Sequence, residues 1–312
     1  MLAMVLMAQA APQGQGVGNF PYVDFGPLPS PSQCQPQQRP PPPVDLAGLE
    51  AGGWVTDYNE RQVSVLGPNA VNVRLDLEAG FGPDRDPQGA RLASKFAYRK
   101  GKFSARIKSG ATVPGVVAAF YLSDYEPELP SERMQDEADF ELMGARGAKY
   151  VQTNLFINGV GDREKQHLVP DHSTAFHKYT LEWDIDAGFV KSYIDDKLIR
   201  TDKVKAFRPQ RVYVSYWGTK PCNSVYDMQV LYWAGLPRPS DYGKTYVMEM
   251  KDIQFEHSAP LPVQPRQVQS TNPKRSLAGQ LALLKGHLDP VCAPLNPQNA
   301  VRTSKCPKKG KN

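Results

Sequence analysis

Between Asp136 and Gly144 the chain reads Asp136-Glu-Ala-Asp-Phe-Glu-Leu-Met-Gly144. At the two-residue period of a strand, Glu137, Asp139 and Glu141 share one face, and Ala138, Phe140 and Leu142 share the other. One face is a row of acids and the other is built for a core. Like charges at adjacent same-face positions repel, so the row needs a chemical reason. A pair of carboxylates flanking a glycosidic bond supplies one: the first acts as nucleophile, the second as acid/base, and the acid between them sets their protonation. A solvated acidic edge and a divalent-cation site of hard oxygen ligands are the competing accounts. On a flat strand the Cα atoms of Glu137 and Glu141 would lie about 13 Å apart at about 3.3 Å per residue, whereas a retaining pair works at about 5 to 5.5 Å. The catalytic reading therefore demands a strand in a curved, cleft-forming sheet.

The surrounding sequence supplies strands. Val71, Val73, Leu75 and Leu77 alternate with Asn72, Arg74, Asp76 and Glu78, and Phe103, Ala105 and Ile107 alternate with Lys102, Ser104, Arg106 and Lys108. Val116 to Leu122 is continuously apolar, as in a strand buried on both faces. Further strands are expected at Tyr150 to Phe156, Tyr179 to Ile185, Phe189 to Ile194, Val212 to Trp217, Val225 to Trp233 and Tyr246 to Phe255. Helical periodicity is nearly absent before residue 270, and Ser276 to Lys285 is the one short amphipathic helix expected. The reading is all-β: a β-sandwich jelly roll, concanavalin A-like, over residues 46–256.

The ends differ from this body. Leu2 to Met7 followed by Ala8-Gln9-Ala10 reads as a signal peptide over residues 1–10, which places the protein outside the cell. Residues 11–45 form a Pro-rich linker, holding ten of the 29 prolines. Residues 257–312 are a basic, mostly disordered tail. From Thr271 to Asn312 there are eight Lys or Arg and one acid, Asp289, so the rest of the +5 chain has a net charge of −2. A body of that charge argues against nucleic acid as a partner, while the tail suits anionic wall polymers. Cys34, Cys222, Cys292 and Cys306 lack metal-site spacing; in an exported chain they imply disulfides, and all three pairings stay open. No apolar run approaches the ~18 to 20 residues of a membrane span. A monomer is expected.

These residues resemble glycoside hydrolase family 16, and within it the transglycosylase branch. Asp136 to Gly144 is similar to that family's acidic signature. Gly115-Val-Val-Ala-Ala-Phe-Tyr-Leu-Ser123, Gln152-Thr-Asn-Leu-Phe-Ile-Asn-Gly-Val-Gly-Asp-Arg-Glu164, Phe176 to Trp183 and Tyr193 to Arg200 resemble, in order, blocks of plant xyloglucan endotransglucosylase/hydrolases. Tyr232 to Tyr242 and Tyr246 to Met250 instead resemble fungal Crh-type cell-wall transglycosylases. The resemblance implies a secreted retaining enzyme with Glu137 as nucleophile, Glu141 as general acid/base and Asp139 as modulator. It implies a polysaccharide donor and an oligosaccharide acceptor, xyloglucan or another β-glucan first. A β-1,3/1,4-glucan hydrolase and a chitin–glucan cross-linking enzyme remain alternatives.

Four polar residues join the site as candidates. Gln152 and Asn154 share a strand face that suits sugar hydroxyls, and Arg163 and Glu164 could grip hydroxyls in the same cleft. Either Tyr216 or Trp217 should face the cleft and stack on a pyranose ring, and the resemblance favours Trp217. Trp183 is expected in the core, and His177 has no part in a two-carboxylate mechanism. The chemistry requires no cofactor and no catalytic metal; a structural calcium site is left open. A non-catalytic lectin-like jelly roll is the reading of a different class.

Overall fold

Period-two burial organises the chain into antiparallel strands. The computed structural model describes residues 53–67, 69–77, 87–124, 135–161, 163–204, 207–220 and 225–262. Among these the strands are β1 (Trp54–Tyr58), β2 (Val63–Gly67), β3 (Ala70–Asp76), β4 (Ala90–Ser94), β5 (Lys100–Lys108), β6 (Val116–Ser123), β7 (Glu137–Met143) and β8 (Tyr150–Ile157). They continue as β9 (Val160–Gly161), β10 (Lys165–Leu168), β11 (His177–Asp184), β12 (Phe189–Ile194), β13 (Lys197–Lys203), β14 (Arg211–Gly218) and β15 (Thr245–His257). One α-helix, α1 (Val225–Ala234), lies between β14 and β15.

The strands form two antiparallel sheets. The first runs β1-β4-β14-β6-β7-β8-β10, with β9 also on β8; the second runs β13-β12-β11-β5-β15-β3-β2. Their facing sides make one core. A chain of rings crosses it: Phe103 on β5 meets Phe120 on β6 at 4.9 Å, Phe120 stacks on Phe140 of β7 at 5.9 Å, and Phe140 meets Tyr179 of β11 at 5.4 Å. Aromatic contacts of this kind contribute beyond their buried area, and here they fix the two sheets face to face. Trp183 is fully buried, as expected, and its indole N–H donates to the Tyr98 carbonyl at 3.2 Å. The architecture is the two-sheet jelly roll that the alternation calls for.

One expected strand is a helix. Val225 to Trp233 lies within α1, which also corrects the expectation of almost no helix before residue 270. Its β-branched and aromatic composition reads as a strand, and its apolar residues form no stripe at the helical period. The four cysteines, residues 1–45 and the expected Ser276–Lys285 helix lie outside the described residues. Among the described residues no helix is long and apolar enough to cross a membrane.

Candidate active site

β7 is a central strand, held between β6 and β8, and every one of its residues is buried. Ala138, Phe140 and Leu142 point into the inter-sheet core. Alternation therefore sends Glu137, Asp139 and Glu141 to the opposite face of the first sheet, where each is no more than 3 % exposed. Pairing sets their neighbours. Across β6 they face Ser123, Tyr121 and Ala119, and across β8 they face Phe156, Asn154 and Gln152.

Each carboxylate has one oxygen held and one left over. Gln135 donates its Nε2 to Glu137 Oε2 at 3.0 Å, the Asn154 backbone N–H donates to Asp139 Oδ1 at 2.6 Å, and Gln152 Nε2 donates to Glu141 Oε2 at 3.3 Å. Glu137 Oε1, Asp139 Oδ2 and Glu141 Oε1 are buried without a hydrogen-bond partner. Leaving a buried acceptor unpaired is costly, and three in one row mark a place where a ligand completes the set.

The same burial moves the carboxyl groups' affinity for protons upward. Glu137 is raised by burial first and then by the charge of Asp139; the Ser123 hydrogen bond and the Arg91 charge pull it back. Asp139 rises from 3.8 to about 7, again by burial, against the Asn154 N–H and the Arg200 charge. Glu141 is raised by burial and by three acids, Asp139, Glu137 and Glu164, with Gln152 alone opposing. The row therefore retains protons at pH values where isolated carboxyls have lost them.

Asp136, the first acid of the stretch, is not part of the row. Its carboxylate accepts the backbone N–H groups of Asn158 at 2.9 Å and Arg208 at 3.3 Å and pairs with the Arg208 guanidinium, while its own N–H donates to Asp124. It clamps the start of β7. At the other end Gly144 is buried beneath Val113, where any Cβ would overlap the Val113 carbonyl.

Of the polar candidates, Gln152 lies nearest the chemistry. Its Oε1 accepts Gln166 Nε2 at 2.6 Å and the indole N–H of Trp233 at 3.3 Å, so its NH2 is turned to Glu141. Asn154 directs its side-chain oxygen to the N–H groups of Leu155 and Arg163, so it braces the loop more than it faces the cleft. Arg163 meets the site through that backbone bond, and Glu164 is close enough for its charge to act on Asp139 and Glu141. Tyr216 is in the core, whereas Trp217 is on the acid-bearing face, stacked on Trp233 at 6.0 Å. A second aromatic pair, Tyr121 on Tyr213 at 5.1 Å, flanks Asp139, with Arg91 and Arg211 over the Tyr213 ring. His177 binds Asp195 and the Pro170 carbonyl on the second sheet, away from the acids.

Trp233, Ser123, Gln135, Arg91 and the Tyr121–Tyr213 pair were not candidates from sequence. Strand order places Ser123 and Tyr121 on β6, Tyr213 on β14 and Arg91 on β4, and the fold of α1 places Trp233, none of which has a local signal; Gln135 lies two residues before Glu137 and was simply passed over. Among the described residues no group of three or more His, Cys, Asp or Glu is arranged to hold a metal ion.

Residues 55–235 match the family model for glycosyl hydrolases family 16. A probable xyloglucan endotransglucosylase/hydrolase protein of Nicotiana tabacum is 32% identical over 193 residues, 58% of this chain and 60% of that protein. A xyloglucan endotransglucosylase/hydrolase of Brassica oleracea var. botrytis is 33% identical over 199 residues, 61% of each. The chain thus spans about three fifths of the length of these curated relatives. Among solved structures, Bacillus licheniformis β-glucanase superposes with a TM-score of 0.51 at 20% identity, covering 67% of this chain and 93% of that one. The catalytic domain of an endo-1,3-β-glucanase from Thermotoga petrophila gives 0.52 at 17% identity, covering 67% and 92%. These two likenesses are of fold. The family match takes in the whole acid row and more than half of the sequence, and the chain belongs to glycosyl hydrolases family 16.

Proposed function

We propose that the protein is a secreted retaining endo-glycosidase or transglycosylase acting on β-linked cell-wall polysaccharide, with xyloglucan or another β-glucan as donor. One observation carries the reading: three buried carboxylates on one strand face, each with an oxygen that nothing in the protein satisfies. The relatives named xyloglucan endotransglucosylase/hydrolases support the choice of donor.

The surroundings support a division of roles. Burial raises both glutamates, but at Glu137 the Ser123 hydrogen bond and the Arg91 charge oppose Asp139 and Asp124, while at Glu141 three acids, Asp139, Glu137 and Glu164, act against the Gln152 hydrogen bond. The ionised form is thus better supported at Glu137, as a nucleophile needs, and the protonated form at Glu141, as an acid needs. An oxygen of ionised Glu137 bonds to the anomeric carbon as the glycosidic C–O bond breaks, and Glu141 gives its proton to the departing oxygen. Glu141, now a carboxylate, takes a proton from an incoming hydroxyl, whose oxygen displaces Glu137 and restores both residues. Water as the incoming group gives hydrolysis, and a sugar hydroxyl gives transfer. Trp217 supplies an apolar plane for a pyranose ring, and Gln152 holds Glu141 in place.

Wild type and Glu137→Ala are compared on xyloglucan, mixed-linkage glucan, β-1,3-glucan and chitin, with and without fluorescent oligosaccharide acceptors. New reducing ends and label moved into polymer are both followed. The expected result is activity on at least one β-glucan that falls about a thousandfold or more in Glu137→Ala. Label incorporation identifies a transglycosylase, and reducing ends alone a hydrolase. Equal inertness of both proteins, with wild type still binding a polymer, would instead establish the lectin-like reading.

A further inference from the structure

On the far side of the active sheet lies a buried cation that the two-carboxylate mechanism does not use. Arg200 is on β13, an edge strand of the second sheet, yet only 4% of it is exposed. A guanidinium so buried needs partners for its donors. Asp202 takes one side of it, accepting from Nε at 2.5 Å and from Nη2 at 3.1 Å. The other arm crosses to the first sheet. Nη1 donates to Thr153 of β8, at 3.0 Å to the carbonyl and at 3.1 Å to the hydroxyl.

Thr153 alternates with Gln152 and Asn154, so it points to the inner side with Val151 and Leu155 while they lie among the acids. Its carbonyl and the Asn154 N–H belong to one peptide group. Arg200 thus binds one end of a planar unit whose other end donates to Asp139 Oδ1 at 2.6 Å. A cation on the carbonyl polarises the group and strengthens its N–H as a donor, and hydrogen bonds in such a chain reinforce one another. The hydroxyl is oriented as well. Arginine can only donate, so Thr153 Oγ1 accepts from Arg200 and gives its own hydrogen to His167 Nε2 at 2.9 Å, which requires His167 to be neutral. Burial and the charges of Arg200 and Lys165 lower the proton affinity of His167 in the same sense.

We propose that Arg200 is a positioning residue for the reaction, acting on Asp139 from the second sheet through the Thr153–Asn154 peptide group. The inference rests on the two-carboxylate reading above and adds a control on its middle acid. Asp202 is the counterweight: the Arg200 charge favours ionised Asp139, and the Asp202 charge disfavours it. Asp139 also faces Glu137 and Glu141 on its own strand, Glu164 just before β10, and Tyr121 across β6.

The test follows kcat, KM, the pH–activity profile and the melting temperature of wild type, Arg200→Gln, Arg200→Lys and Asp202→Asn on xyloglucan and mixed-linkage glucan. Arg200→Gln is expected to lower kcat about tenfold at unchanged KM, since no sugar contact is touched. It also moves the profile to higher pH, because loss of a cation raises the row's affinity for protons. Asp202→Asn removes an anion and moves the profile the opposite way. Arg200→Lys keeps the charge but not the fork, so it holds the wild-type profile and recovers only part of kcat. Lower melting temperatures with an unmoved profile in active Arg200→Gln and Asp202→Asn overturn the inference and leave the function standing. Should Arg200→Gln fail to fold, the direction of the Asp202→Asn shift decides alone. A wild type inert on both polymers, and on the other glucans above, overturns both.

Discussion

Asp139 stands between the two glutamates, and its own surroundings oppose one another. Burial pushes its proton affinity up, while the Asn154 N–H and the Arg200 charge pull it down, leaving it at about 7. A carboxyl raised on folding binds more protons folded than unfolded, so its contribution to stability is full below its ordinary 3.8 and is lost as pH rises to about 7. Asp139→Asn removes that loss and leaves an oxygen for the Asn154 N–H. Its melting temperature relative to wild type is therefore expected to climb between pH 3.8 and about 7 and then level off, measured by calorimetry across that range. The same change deprives Glu141 of the charge that raises it most. The basic limb of the pH–activity profile then moves to lower pH, since the acid loses its proton sooner. An unmoved limb would remove Asp139 from the role of modulator. The three acids were legible in the sequence because a strand's period of two is strict. The residues that tell Glu137 from Glu141 were not: Ser123 and Arg91 belong to other strands and reach the row through pairing alone.

The helix α1 is where reading the sequence and folding it diverge most. Its aromatic and β-branched residues satisfy strand preferences, yet the segment places Trp233 over Trp217 and against Gln152 as a helix. Tertiary contacts outweigh a weak local preference here. Edge strands were missed for the opposite reason. β10 and β13 are polar and largely exposed, so they show no apolar alternation to read. The central strands β3, β5, β6 and β7 alternate or are continuously apolar because they are buried, and they were legible. Trp233→Phe tests what the helix contributes: it keeps a ring for Trp217 and removes the donor that turns Gln152. Loss of one hydrogen bond of about 1 kcal/mol predicts a fall in kcat of about fivefold. Gln152 holds Glu141 down, so loosening it moves the basic limb to higher pH, opposite to Asp139→Asn. A lower melting temperature with an unmoved profile would reduce Trp233 to a packing role.

Across the whole molecule the charge is divided unevenly. The chain carries +5, while Thr271 to Asn312 contributes eight basic residues and one acid. Deleting residues 271–312 is expected to leave the turnover of soluble glucan in place and to abolish salt-sensitive retention on an immobilised polyanion such as polygalacturonate. Retention at the same salt concentration after the deletion would assign it to the body instead. The order of strands has a consequence for synthesis. β14 lies between β4 and β6 in one sheet, and β15 lies between β5 and β3 in the other. The two strands made last thus fill the middle of both layers. Until residue 218 has left the ribosome the first layer cannot close and β4 and β6 lack a neighbour, and until residue 257 has left it the second cannot close and β3 and β5 lack one. Consecutive strands such as β6, β7 and β8 or β11, β12 and β13 can pair as they emerge, but each sheet becomes continuous only when its late strand arrives. The second sheet is therefore the last part of the molecule to settle, and a chain cut short before β15 is left with two strand edges, on β3 and β5, open to pairing with other chains.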